Sequence, residues 1–117
     1  MGYEAIPKEK IFDQKIGNSF VWSFGYLTSL DLTDYSIRIE GISKLDGNTE
    51  LFSVDSGTPT DNEYITTDLL AQGKFSLVIK NTSNFTEGDY YVDVSYTSPE
   101  GIKQSTNAIV LRMKKRF

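Results

Sequence analysis

The chain contains no cysteine and no histidine. Without histidine, neither a Ser-His-Asp nor a Cys-His nucleophilic centre can be assembled. With cysteine also missing, zinc loses its usual ligands. A disulfide framework is excluded, so a core must hold the fold, and a reducing cytosol is the expected place of folding. The nine glycines are scattered at turns, and none forms a phosphate-cradling loop. No apolar run approaches the ~20 residues that span a bilayer. The first ten residues lack the apolar stretch of a signal peptide, and Gly2 is followed by Ile6 where a myristoylation signal wants Ser or Thr. No membrane partner and no cofactor are expected.

What is present is aromatic and β-favouring. At 117 residues, one domain with one core is expected. Seven Tyr, seven Phe and one Trp suit half-buried pleated surfaces. Apolar residues alternate with polar ones in Phe20-Trp22-Phe24-Tyr26, Tyr35-Ile37-Ile39, Phe75-Leu77-Ile79 and Tyr90-Val92-Val94. A period of two marks strands. Leu51–Val54 and Tyr64–Thr67 read as shorter strands, and Asp68–Gln72 as a helical or turn segment. The last strand starts near Ile102 or Asn107 and ends near Met113. Asp46-Gly47 marks a tight hairpin, Pro99 and Gly101 fit a type I turn, and Ser56–Asn62 reads as a loop.

These signals predict an all-β fold, an immunoglobulin-like antiparallel β-sandwich of about seven strands. Residues 1–10 read as an extended N-terminal arm, 11–113 as the sandwich and 114–117 as a basic C-terminal end. Gly88-Asp89-Tyr90 at the head of the late strand fits a tyrosine corner, whose hydroxyl bonds back to upstream backbone. A plain strand after a glycine turn explains the same residues.

The net charge is −4, unevenly placed. Asp31 to Glu100 holds thirteen acids and four bases, whereas the last six residues hold four bases and no acid. An acidic body lacks the broad basic footprint of a nucleic-acid binder. The sixteen carboxylates could in principle supply a glycosidase-like pair, but a sandwich of this size has little room for the cleft, and no enzyme is expected. Asp55 with Asp61-Asn62-Glu63 flanks a loop that calcium could use, yet it lacks a regular ligand ladder, so solvated loop acids are the reading taken. Asn81-Thr82-Ser83 and Asn84-Phe85-Thr86 match glycosylation sequons, for which no secretory route is expected. The row from Phe20 to Tyr26 is read as core rather than as a sugar platform, leaving Phe85, Tyr91 and Tyr64 as candidate exposed aromatics.

Partner contacts are assigned to the two ends. Tyr3, Ile6 and Pro7 place apolar groups on the arm. Arg112, Lys114, Lys115, Arg116 and Phe117 form a basic end able to dock on an acidic neighbour, including another copy.

The order of several segments resembles a known family. They are Gly17–Trp22, Asp31-Leu32-Thr33-Asp34-Tyr35-Ser36-Ile37-Arg38-Ile39, Gly73–Ile79, Gly88–Val94 and Pro99–Lys103. Together, over about residues 11–111, they resemble the small β-sandwich of tailed-phage virion proteins typified by the N-terminal domain of the baseplate upper protein. Asp34 stands where that family has Gly, and Glu100-Gly101 where it has Asp-Gly. The resemblance implies a virion structural protein of tail or baseplate, made in the host cytoplasm, with virion proteins as partners and a homo-oligomer within the assembly. It carries no catalytic residues. The receptor-binding scaffold that follows in that family is missing from this sequence, so a capsid decoration or auxiliary protein, or a head–tail junction protein, fits equally. A surface carbohydrate-binding or adhesive module is the reading from another class.

Overall fold

A computed structural model of the chain describes residues 10–25, 31–105 and 109–115. Nine strands are described: β1 (Lys10–Lys15), β2 (Phe20–Gly25), β3 (Ser36–Ser43), β4 (Glu50–Asp55), β5 (Glu63–Ile65), β6 (Lys74–Ile79), β7 (Gly88–Thr97), β8 (Lys103–Ser105) and β9 (Ile109–Lys114). A single 3-10 turn, Leu70–Gln72, interrupts them. They form two sheets, a larger one ordered β1-β9-β7-β3-β4 and a smaller one ordered β2-β6-β5. β8 extends the larger sheet by pairing with β7. The architecture is a β-sandwich.

Alternation sets which face each strand buries. Ile37, Ile39, Val92, Val94 and Leu111 of the larger sheet meet Phe20, Phe75, Leu77 and Ile79 of the smaller one in a single core. The expected apolar rows therefore do share one interior, except that Tyr26, at the end of the first, lies outside the described residues. Trp22, Phe24 and Tyr35 lie at its margin, half-buried. Leu32 of the loop before β3, Ile65 of β5 and Leu70 of the 3-10 turn complete it, all buried.

Two differences from the expected fold concern pairing. Lys10, read as the end of the arm, and Ile11–Lys15, to which periodicity assigns no particular strand, form β1, which pairs with β9 in parallel, the one parallel ladder among the described strands. The last strand is divided: β8 pairs with Ser95–Thr97, and β9 pairs with Gly88–Val92. The expected start at Ile102 stands next to β8, and the other, Asn107, lies outside the described residues.

Turn chemistry follows the sequence closely. At the β3–β4 hairpin Gly47 adopts φ 66, a left-handed conformation that glycine enters without strain. Asp46 accepts hydrogen bonds from the Thr49 hydroxyl and from the Thr49 and Asn48 amides, and these hold its carboxyl down at about 2. At the β7–β8 turn the Gly101 amide donates to Ser98 O at 2.9 Å, as a type I turn with Pro99 in second place requires.

Thr82 is a buried polar group whose role no local pattern announces. Its Oγ1 accepts from the Gly17 amide (2.8 Å) and donates to Asn18 O (2.7 Å). The β6–β7 loop is thereby pinned to the β1–β2 turn. Thr82→Val keeps the shape but removes both bonds, leaving a part-buried amide and carbonyl unpaired. The expected loss is about 1–2 kcal/mol, read from urea unfolding midpoints at unchanged m-value; a wild-type midpoint would refute this role.

Candidate assembly surfaces

β1 borders the larger sheet, and its described neighbours lie on one side only. The Ile16 amide donates to Lys114 O, so alternation along a parallel ladder turns the backbone groups of Phe12 and Gln14 toward β9. Those of Ile11 and Asp13 and the Lys15 amide point off the sheet, while the Lys15 carbonyl accepts from the Asn18 amide at 3.1 Å in the β1–β2 turn. Two large apolar side chains stand on this strand, Ile11 at 51% and Phe12 at 42% exposure. Phe12 faces the sandwich interior and meets Trp22 of β2, ring centroids 5.2 Å apart. The smaller sheet reaches only far enough to cover one side of it.

The outer face of this region is charged. Arg112 Nε donates to Asp89 Oδ1 at 2.9 Å and Nη2 to Oδ2 at 3.2 Å, a bidentate pair across β9 and β7. That guanidinium holds the Asp89 carboxyl below the usual carboxylate range, and Asp89 raises Arg112 in turn. Lys114 Nζ lies 3.2 Å from Asp13 Oδ2, joining β9 to β1. Both pairs are well exposed, so solvent screens them and each adds little to stability.

The residues assigned to partner binding thus divide. Arg112 and Lys114 are strand residues engaged within the chain, and Lys115 is exposed just beyond β9. Tyr3, Ile6, Pro7, Arg116 and Phe117 lie outside the described residues. The anchors of the two ends are nevertheless fixed. β1 and β9 run parallel, with Lys10 beside Ile109 and Lys15 beside Lys114. The chain therefore enters β1 at one end of the sheet and leaves β9 at the other, a separation of roughly 17 Å at the rise of a strand. Sequence reasoning missed β1 itself as a candidate surface; the apolar pair Ile11-Phe12 between charged residues was the available signal.

Two open clefts lie at opposite ends of β3 and β4. One, of about 510 Å³, is lined by Ser43, Lys44, Leu45, Glu87, Gly88, Asp89 and Tyr90. The other, of about 440 Å³, is lined by Thr33, Tyr35, Ser56, Thr67, Asp68, Leu70 and Ala71. The three candidate exposed aromatics form no common platform. Tyr91 is on the outer face of the larger sheet under Lys44 Nζ (5.4 Å), Tyr64 is on the smaller sheet under Lys80 Nζ (5.7 Å), and the Phe85 ring stacks on Phe52. Among the described residues no three acidic side chains gather as a metal site, and Asp55 lies 3.7 Å from Arg38. No protein-family model matches this chain, and no curated protein matches it in sequence.

Proposed function

We propose that this chain is a structural component of a tailed-phage virion, placed in tail or baseplate, which works through protein–protein contacts and catalyses no reaction. The observation that carries the reading is the margin of β1, whose neighbours among the described residues lie on one side only and where Ile11 and Phe12 stand half-exposed. A strand edge of this kind is either protected or used for pairing. The resemblance to phage virion sandwiches adds to it, because its segments fall on the entries or bodies of β2, β3, β6 and β7 and on the β7–β8 turn. Capsid decoration and the head–tail junction remain alternative places for the same contacts.

The immunoglobulin-like assignment belongs to this proposal and rests on two features. The order β2-β6-β5 against β9-β7-β3-β4 matches B-E-D against G-F-C-C′ when β2 to β9 take those letters in turn, β8 and β9 sharing G. Tyr90 supplies the corner: its hydroxyl donates to Thr86 O at 3.0 Å, four residues upstream, with Val92 two positions on. Fold alone does not give function, but domains of this shape serve widely as contact modules.

The test is incorporation. Deleting residues 2–9, or the pair Lys115→Glu and Arg116→Glu, is expected to leave the melting temperature within a few degrees of wild type and to abolish incorporation into particles. Lys114 is spared because Asp13 uses it. Normal assembly of both variants would overturn the assignment of the ends. A second reading, a carbohydrate-binding module, is favoured by one feature, the cleft that sets Tyr35 beside Thr33, Ser56, Thr67 and Asp68. An aromatic ring among hydroxyls and a carboxylate suits a sugar, and a glycan array on the purified chain decides it.

A further inference from the structure

We propose that two copies of this chain pair along β1, edge to edge and antiparallel, to make one continuous sheet across a two-fold axis. The inference deepens the assembly reading above by naming its contact.

The backbone groups of Ile11 and Asp13 and the Lys15 amide point away from β9, so these residues form the hydrogen-bonded positions of any added strand; the Lys15 carbonyl, which accepts from the Asn18 amide, has its second lone pair for the ladder. An antiparallel ladder pairs such residues directly opposite one another. The register that sets Asp13 opposite Lys15 of the second copy also sets Lys15 opposite that copy's Asp13, because the axis is two-fold. Both side chains lie on the outer face, beside the ion pair of Asp13 with Lys114. On the inner face the same register puts Phe12 against Ile16 of the second copy and the two Gln14 residues against each other. The half-exposed Phe12 ring then gains an apolar neighbour on its open side.

The charges on β1 have a simpler reading, since charged residues commonly keep sheet edges from pairing. Protection needs charge that repels its own image. Here opposite signs stand two positions apart, Asp13 and Lys15, and they match their image in this register. Moving the second copy by two residues one way sets Asp13 against Asp13. Charge thus selects a register as well as permitting contact.

The pairing also accounts for the placement of the chain ends. Within one copy the arm and the basic end depart from opposite ends of the sheet. In the antiparallel pair, Lys10 of one copy lies opposite Asn18 of the other, three residues past the end of that copy's β1. Lys114 of that copy stands beside its Lys15, two strand spacings across and three residues along, roughly 14 Å away.

Because the chain has no cysteine, single cysteines report the register directly. Two residues facing each other at a non-hydrogen-bonded antiparallel position have Cα atoms about 4.5 Å apart, within disulfide reach. Purified Gln14→Cys is expected to form a covalent dimer under mild oxidation far faster than Phe12→Cys, Asp13→Cys or, as a collision control, Glu100→Cys. Faster dimerisation of Phe12→Cys or Asp13→Cys would establish a different register and overturn the charge argument. Dimerisation of Gln14→Cys no faster than the control would overturn pairing along β1. Sedimentation of cysteine-free variants gives a second reading. Lys15→Asp should weaken the dimer about tenfold, from two cross-strand pairs turned repulsive, and adding Asp13→Lys should restore it. A dimer indifferent to both changes would refute the proposed register. The assay uses the purified chain alone, so a chain that enters particles but fails these tests sinks the edge pairing and spares the virion reading, and the converse result does the opposite.

Discussion

Phe75→Ala is expected to lower the unfolding free energy by about 3–5 kcal/mol, the usual cost of emptying a buried phenylalanine site. Phe75 is 3% exposed and lies in β6, the central strand of the smaller sheet. Its ring stacks on Phe24 of β2, centroids 5.3 Å apart and planes at 22°. Truncation therefore removes both its contact with the opposite sheet and a cross-strand ring pair. The site is enclosed by strands on two layers and cannot collapse around the missing ring. Trp22, which alternation ranks equally, is only half-buried and shares its outer side with Phe12, so Trp22→Ala should cost less for each atom removed. Leu69→Ala, at an exposed site, is the control and should stay within about 0.5 kcal/mol. Equilibrium denaturation decides the matter: a Phe75→Ala loss under about 1 kcal/mol would mean that the two sheets do not share this core.

The part of the fold that could be read in advance is the part governed by local rules. Phe20, Ile37, Phe75 and Val92 occupy every-second-residue rows, and a strand leaves such rows no choice of face. Gly47 and Gly101 stand at turns whose geometry favours them. β1 escaped because its signal is mixed. Gln14 shares a face with Phe12, which is tolerable only at a sheet margin, and nothing local announces a margin. The parallel partner was equally hidden, since register between segments a hundred residues apart is set by the assembled core. Leu32 and Thr82 show the same limit. Each is buried by what the fold brings to it, β3 and Leu70 for one and the Gly17–Asn18 turn for the other.

For the candidate surface, composition correctly marked the C-terminal residues as basic but gave no view of their partners. Arg112 and Lys114 face Asp89 and Asp13 because β9 lies between β7 and β1, a three-strand arrangement no window of sequence contains. The surviving candidates are those the sheet leaves over: Lys115 beyond the strand, and Ile11 and Phe12 along the edge. Charge pattern told where cations were, and topology told which were already used.

Gly41→Leu is expected to destabilise the domain by about 3 kcal/mol, the upper part of the range for forcing extra atoms into a packed interior. Gly41 pairs with Phe52 across β3 and β4, beside a register shift between Gly41 and Ile42. A Cβ placed on Gly41 would stand 2.8 Å from Phe52 Cε2 and 3.2 Å from two further ring atoms. The missing side chain is thus the space that the ring occupies. That ring has little freedom to withdraw: Phe85 stacks on it at 6.0 Å, and Phe20 meets it edge-on at 6.4 Å. Alanine at position 41 requires a small shift of the ring and gains some strand propensity, so its cost should be about 1 kcal/mol. Leucine adds three more carbons where none fit, and either the ring leaves the core or the two strands separate. A double-mutant cycle tests this account. In a Phe52→Ala background the cavity accepts the new side chain, and Gly41→Leu should become nearly neutral, a coupling of about 2–3 kcal/mol. Equal costs of Gly41→Leu with and without Phe52 would show that the penalty arises from the backbone at the bulge and not from the ring.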